Sequence, residues 1–299
     1  MKALTKILIS CAIAILSLVS LQAQDSDSLL YKLVGADSLY LHVDYPLLYD
    51  STLSHPALVF FFGGGWNGGT TEQFAPHAKY FASRGMVCFR ADYRVKSRQG
   101  TTPFESLKDA KSAIRYIRTH ANELGVDPDK IVASGGSAGG HLAAATAVIQ
   151  GFSEIGEDLS VSCIPNALVL FNPVFDNGPG GYGYERIGEA YKEFSPLHNI
   201  REGMPPAVVF LGTEDHLIPV ETAEYFRTVM DKVGSRSELF LYEGEGHGFF
   251  NYRNYEIYQD TRDKADEFLI STGFLRDTKN YRIGYPLKKQ PSITGDGLQ

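Results

Sequence analysis

Six strongly apolar runs recur along the 299-residue chain: PALVFFFG at 56–63, GMVCFRADY at 85–93, KIVASG at 130–135, NALVLFNP at 166–173, PAVVFLG at 206–212 and SELFLYEG at 237–244. Each is continuously hydrophobic rather than alternating, the mark of strands buried on both faces in a mostly parallel sheet. Between them the spacing predicts helices over 71–84, 104–124, 138–149, 219–233 and 254–271. Pro103 near the start of the second and Gly125 just past its end fit the usual punctuation of a helix. Strand–helix alternation of this kind implies right-handed crossovers, so the pattern predicts an α/β fold with a central sheet flanked by helices on both faces. YKLVG and LYLHVDYP, within 31–46, alternate enough to form an antiparallel pair at the sheet edge. Residues 151–165 and 174–204 match no sheet element, and segments of this kind are either surface loops or caps over a site. The chain reads as a single domain over 24–299, with a core at about 56–271 and an extension at 275–299 that has no core pattern.

Chemistry concentrates where the third run breaks into glycines. Gly135-Gly136-Ser137-Ala138-Gly139 contains G-x-S-x-G between a β-branched run and a small-residue helix, the context in which a serine is exposed on a sharp strand-to-helix turn. A serine hydroxyl is a weak nucleophile near neutral pH and needs an adjacent base oriented by a carboxylate. Later strand ends supply both in the order the fold requires: Asp215 follows PAVVFLG and His247 follows SELFLYEG. Glu214 is the alternative acid and His216 the alternative base, although His216 shares a loop with the acid. His141, one helical turn past Ser137, is expected to pack under the turn; His42, His55, His77, His120 and His198 read as surface or hydrogen-bonded histidines. Acyl transfer also needs N–H donors aimed at the developing oxyanion. Ala138 offers one, and the loop after PALVFFF offers Gly63, Gly64 and Gly65, whose lack of Cβ lets backbone approach a substrate.

The same loop, GGGWNG, also matches the G-x-G-x-x-G of dinucleotide sites, with Asp92 ending the next strand. Trp66 is bulky for a loop that hugs a pyrophosphate, and a nucleotide site would leave Ser137, Asp215 and His247 without a role. Metal-ligand spacings such as H-E-x-x-H and C-x-x-C are absent, as is a P-loop, so no cofactor and no metal is expected.

Composition narrows the setting. Residues 1–23 have Lys2 and Lys6, an apolar run from Ile7 to Leu21 and a small-residue site at Ala23, the order of a secretory signal peptide. That run is shorter than the ~20 residues of a spanning helix, so a secreted or periplasmic protein without stable membrane insertion is expected, an uncleaved anchor being the competing reading. LISC around Cys11 resembles a lipoprotein box, but the apolar run continues past it. The chain carries 28 basic and 35 acidic residues; removal of two lysines leaves 26 against 35, a net charge of −9 that disfavours nucleic acid as a partner. Cys88 and Cys163 remain as a pair that an oxidising compartment would allow to join, too few for a disulfide framework.

Taken together, FFGGGW, ADYR, GGSAGGHLA, GTEDHLIP and GEGHGF resemble the α/β-hydrolase fold of the esterase/lipase group, which includes hormone-sensitive-lipase-like esterases and secreted acetyl-xylan and feruloyl carbohydrate esterases. The resemblance covers roughly 56–271. It implies Ser137 as nucleophile, His247 as base, Asp215 as its partner, and Gly64, Gly65 and Ala138 as the oxyanion hole. One departure stands out: the group commonly has histidine before the glycine run, where this chain has Phe62. The expected substrate is a short acyl ester, of acetyl or hydroxycinnamoyl type, on a saccharide, with Trp66, Tyr182 and Tyr184 available to stack on sugar or aromatic groups. A serine peptidase acting on small peptides and a catalytically silent binding protein are the rival readings. Oligomeric state is not legible.

Overall fold

A computed structural model describes residues 27–47 and 49–277. The expected signal peptide and most of the 275–299 extension lie outside these residues. Eight strands form one sheet in the order β1-β2-β4-β3-β5-β6-β7-β8. They are β1 (Asp27–Val34), β2 (Asp37–Asp44), β3 (His55–Phe61), β4 (Val87–Ala91), β5 (Val126–Gly136), β6 (Ala167–Phe171), β7 (Ala207–Gly212) and β8 (Ser237–Tyr242). All pairings from β4 to β8 are parallel, and the β1–β2 hairpin joins β4 antiparallel at one edge. This is the α/β architecture that the strand pattern predicts and the α/β-hydrolase fold that the resemblance implies.

Five longer helices cover the sheet: α1 (Ala75–Ser83), α2 (Pro103–Thr119), α3 (Ala138–Val148), α4 (Val220–Lys232) and α5 (Tyr255–Ser271). Period-two geometry sorts β3 between two cores. Ala57, Val59 and Phe61 face Leu107, Ile114 and Leu142 of α2 and α3, with Phe226 of α4 in the same cluster. Leu58 and Phe60 face Phe81 of α1 and Phe268 of α5. Every residue of β4, β6 and β7 is buried, which is why their sequences show no polar alternation.

Helix α2 starts as expected, with Pro103 in its first turn and the Glu105 carboxylate accepting from the Thr102 N–H at 3.0 Å. It ends five residues before the predicted Leu124. There the His120 ring pairs with the Tyr116 carbonyl (2.9 Å), and Gly125, at φ 53°, instead turns the chain into β5, its carbonyl accepting from His55 N–H at 2.8 Å. Residues 174–204 form a strandless insertion with short helical turns at Tyr184–Ile187 and Tyr191–Phe194. Cys88 and Cys163 are both buried free thiols. Among the described residues no helix is long and apolar enough to cross a membrane.

Candidate active site

Parallel strands deliver their C-terminal ends to one edge of the sheet, and the chemistry-bearing loops meet there. Ser137 joins β5 to α3 at φ 54°, ψ −119°, a left-handed conformation costing a non-glycine residue about 1–3 kcal/mol. Backbone bonds hold it: its N–H donates to the Phe171 carbonyl (3.0 Å), and its own carbonyl accepts from His141 (2.9 Å) and Val174 (3.3 Å). Small neighbours are obligatory, because a Cβ on Gly139 would stand 2.0 Å from the Phe61 carbonyl oxygen, so α3 abuts β3 there without side-chain clearance.

His247, on the loop after β8, places Nε2 2.9 Å from the Ser137 hydroxyl and Nδ1 2.7 Å from Asp215 Oδ2. The carboxylate only accepts, so Nδ1 carries the proton and Nε2 presents its lone pair to the serine. The Asp215 side chain is fully buried, and its second oxygen accepts from the N–H groups of Leu217 (2.9 Å) and Ile218 (3.0 Å). Glu214 and His216 are exposed, and the alternative acid and base stand outside this chain of bonds.

The glycine loop lies against the serine, where a Cβ on Gly63 would be 3.4 Å from that of Ser137. Gly63 N–H is already engaged by Gln73 Oε1 at 2.6 Å. The N–H groups of Gly64, Gly65 and Ala138 engage no acceptor among the described residues. Phe62, at the position where histidine was expected, stacks on Tyr93 with ring centres 4.0 Å apart, and the Tyr93 hydroxyl donates to the Phe62 carbonyl at 2.6 Å. An aromatic stack thus anchors this loop.

The aromatic residues expected to meet substrate divide. Trp66 is 1% exposed, its indole packed edge-on to His141 (5.1 Å) and against Phe194 (6.3 Å); it is a packing residue and offers no exposed face to substrate. Tyr182 is half-buried above the loop, with its hydroxyl 2.5 Å from where a Cβ on Gly65 would be. Tyr184 turns outward, donating to Glu189 at 2.8 Å, an acceptor that also pushes its phenol pKa up. A cavity of about 240 Å³ separates the insertion from the acid loop, lined by Phe175, Asp176, Tyr182, Leu217, Ile218 and Pro219. A larger open groove, about 860 Å³ around Arg118, Asp129 and Asn166, lies at the opposite, N-terminal ends of the strands and is remote from Ser137.

Several supporting groups carry no short-range sequence signal. Asn172, just after β6, accepts from Gly248 N–H at 3.0 Å and steadies the histidine loop. Gln73 donates to Asn251 Oδ1 (3.0 Å), and Asn251 donates to the Gly248 carbonyl (2.7 Å), linking the glycine loop to the same turn. His141 does pack under the elbow. Its Nε2 faces the Phe194 carbonyl at 3.1 Å and must carry the proton, while burial pushes its pKa down to about 3. His77, read from the sequence as a surface or hydrogen-bonded histidine, is neither. It is fully buried among aromatic rings, with no hydrogen-bond partner on either nitrogen. Among the described residues no group of three or more His, Cys, Asp or Glu side chains is placed to hold a metal ion.

Comparison with known proteins agrees with this fold. The BD-FAE family matches residues 45–168, and the Dienelactone hydrolase family matches residues 176–277. Esterase 2 of Thermogutta terrifontis is 45% identical over 86% of this chain and 96% of that one, with a TM-score of 0.82. Its propionate-bound form gives 45% identity over 85% and 97%, with a TM-score of 0.80. A probable isoprenylcysteine alpha-carbonyl methylesterase of Arabidopsis thaliana is 30% identical over 72% of this chain and 50% of its own length. An acetylxylan esterase of Xylanibacter ruminicola is 26% identical over 79% and 53%. The chain spans about half the length of these curated relatives. Strand order, elbow and relatedness across nearly the whole of a solved esterase place it in one group: the chain belongs to the α/β-hydrolase family of serine carboxylic ester hydrolases.

Proposed function

We propose that the protein removes short acyl groups from saccharides outside the cytoplasm, through an acyl-enzyme on Ser137. The observation that carries this reading is the unbroken chain Ser137–His247–Asp215, at 2.9 and 2.7 Å, beside a glycine loop whose Gly64 and Gly65 N–H groups, like that of Ala138, have no acceptor among the described residues. His247 Nε2 takes the serine proton as Oγ attacks the ester carbonyl carbon. Negative charge then moves to the carbonyl oxygen, and the N–H groups of Gly64, Gly65 and Ala138 receive it. As the carbon–oxygen bond to the alcohol breaks, the imidazolium returns its proton to the departing alkoxide. Water, deprotonated by His247, then releases the acid and restores the serine. Asp215 keeps Nδ1 protonated and stabilises the imidazolium while it lasts.

The small cavity beside Tyr182 supports a short acyl or compact alcohol group, and the propionate-bound relative is consistent with that size. Support for a saccharide comes from the acetylxylan esterase relative and from the secretory pattern of residues 1–23. The test is hydrolysis of p-nitrophenyl acetate, butyrate and octanoate by wild type and Ser137→Ala, followed by acetylated and feruloylated xylan and by peptide amides. Expected are activity falling from acetate to octanoate, acid release from xylan, and a loss of about 10,000-fold or more in the variant. Preference for amides would replace the esterase by the peptidase reading, and equal activity of the two proteins would remove Ser137 from the mechanism.

A further inference from the structure

Three carbonyls of the glycine loop accept from backbone N–H groups. The Gly64 carbonyl accepts from Asn67 (3.0 Å) and Gly68 (3.3 Å), that of Trp66 from Lys96 (3.0 Å), and that of Asn67 from Ser97 (2.8 Å). The Gly65 carbonyl instead accepts from the guanidinium of Arg186, 121 residues away on the first helical turn of the insertion. The same guanidinium lies 5.3 Å from the Trp66 ring centre and 5.4 Å from that of Tyr182, so it bridges the two segments by stacking as well as by hydrogen bonding.

The Gly65–Trp66 peptide is the point at which that contact matters. Trp66 has φ 58°, a left-handed conformation that a bulky side chain does not adopt without cause. Rotation of this one peptide plane changes ψ of Gly65 and φ of Trp66 together. Gly65 tolerates either orientation, whereas Trp66 gains by returning to negative φ. A flip would turn the Gly65 carbonyl away from Arg186 and disturb the backbone that carries the Gly64 and Gly65 N–H groups. We propose that Arg186 is a positioning residue for the oxyanion hole, which holds the Gly65–Trp66 peptide in its strained orientation and makes the hole's geometry depend on the docked insertion. The inference rests on the esterase reading above, with Gly64 and Gly65 as donors.

Arg186→Ala and Arg186→Lys separate this role from a general contribution to stability. Loss of one oxyanion donor costs about 100- to 1,000-fold in turnover, and misplacement of a donor less, so Arg186→Ala is expected to lower kcat about 10- to 100-fold with KM within about 2-fold. Lysine keeps a donor for the Gly65 carbonyl but not the planar stack, and should recover part of the loss. The pH profile of kcat/KM should keep its midpoint, since the Ser137–His247–Asp215 bonds are untouched. Trp66 is the only tryptophan, so its emission reports the loop directly and should shift in Arg186→Ala under conditions where circular dichroism matches wild type. Stoichiometric labelling by an organophosphate counts competent sites and corrects for any unfolded fraction. The proposal is overturned by wild-type kcat per labelled site, by a rise in KM at constant kcat, or by unchanged Trp66 emission. Those results leave the esterase reading intact, which an active Ser137→Ala or a preference for amides would remove.

Discussion

Acid should destabilise this fold through histidines that burial keeps neutral, and His77 isolates the effect. Its ring lies 4.7 Å from that of Tyr258, 5.1 Å from Phe74, 5.3 Å from Phe171 and 6.2 Å from Phe250, with neither nitrogen hydrogen-bonded. Burial, assisted by the nearby Arg262 charge, pushes its pKa from 6.5 down to about 3. Below 6.5 the unfolded chain takes up a proton that the folded chain refuses, so stability is fully present above that pH and drains away as pH falls towards 3. Between pH 7 and 5 the loss is about 1.5 pH units at 1.36 kcal/mol each, or roughly 2 kcal/mol for His77. His141, also held down to about 3, adds a similar amount. In a domain of this size 2 kcal/mol is about 4–8 °C of thermal midpoint. His77→Leu keeps the volume and removes the titration. Its midpoint at pH 7 should equal or exceed that of wild type, because no unpartnered polar atoms are left in the aromatic cluster, and its drop from pH 7 to 5 should be smaller than that of wild type by those 4–8 °C. Scanning calorimetry at the two pH values measures both. Identical drops in the two proteins would show that His77 already carries its proton, or a polar partner, in the folded state.

Three further variants probe the supports of the fold and of the site. Asp109, with its side chain fully buried, accepts from Lys32 (2.7 Å) and from the Arg94 guanidinium (2.7 and 2.8 Å), tying the edge hairpin to α2. Asp109→Asn should cost about 3–5 kcal/mol in urea unfolding, with kcat per labelled site unchanged; a loss below about 1 kcal/mol would mean that Glu154, 2.9 Å from both Lys32 and Arg94, suffices as counter-charge. Gln73→Glu keeps an acceptor for Gly63 N–H but cannot donate to Asn251. It should lower kcat on p-nitrophenyl acetate by less than Gln73→Ala, for which a loss of about 10-fold is expected. Equal rates in all three proteins would remove Gln73 from the geometry of the hole.

What the sequence disclosed follows from the range of each interaction. Strands buried on both faces carry their burial in the letters themselves, so β3 to β7 and the edge hairpin were legible, and the G-x-S-x-G context, strand ends and chain order pointed to Ser137, Asp215 and His247, with Glu214 and His216 as alternatives. The helix end at Thr119 was missed because Gly125 serves the next turn rather than the cap. Trp66 was misread for a different reason: an indole after three glycines gives the same letters whether it faces substrate or core, and only Phe194 and His141, far along the chain, decide. Gln73 and Asn251 are 178 residues apart and Arg186 and Gly65 are 121 apart, separations at which no local pattern links a donor to its acceptor. His77 illustrates the converse, since nothing about a histidine in an amphipathic helix says that five aromatic rings will surround it.

Backbone strain and these long-range bonds fall in the same place. Among the described residues four non-glycine residues have positive φ, and three of them, Trp66, Ser137 and Asn172, surround the site. Each such conformation costs about 1–3 kcal/mol and persists only where neighbours over-determine it. Ser137 is held by Phe171, His141 and Val174, Asn172 by Phe210 and Gly248, and Trp66 by Lys96 together with the Arg186 bond one carbonyl away. The first two sets come from the sheet, the first turn of α3 and the loops that follow β6 and β8. The third reaches across to the insertion, a segment of loops and single helical turns that packs on the core through Phe175, Ile187 and Phe194. Of the strained positions around the serine, the one beside the proposed oxyanion donors is therefore fastened to a contact 121 residues away, on the insertion. Changes in the insertion can alter turnover through Arg186 and the substrate cavity through Tyr182, while Ser137, His247 and Asp215 stay where the sheet sets them.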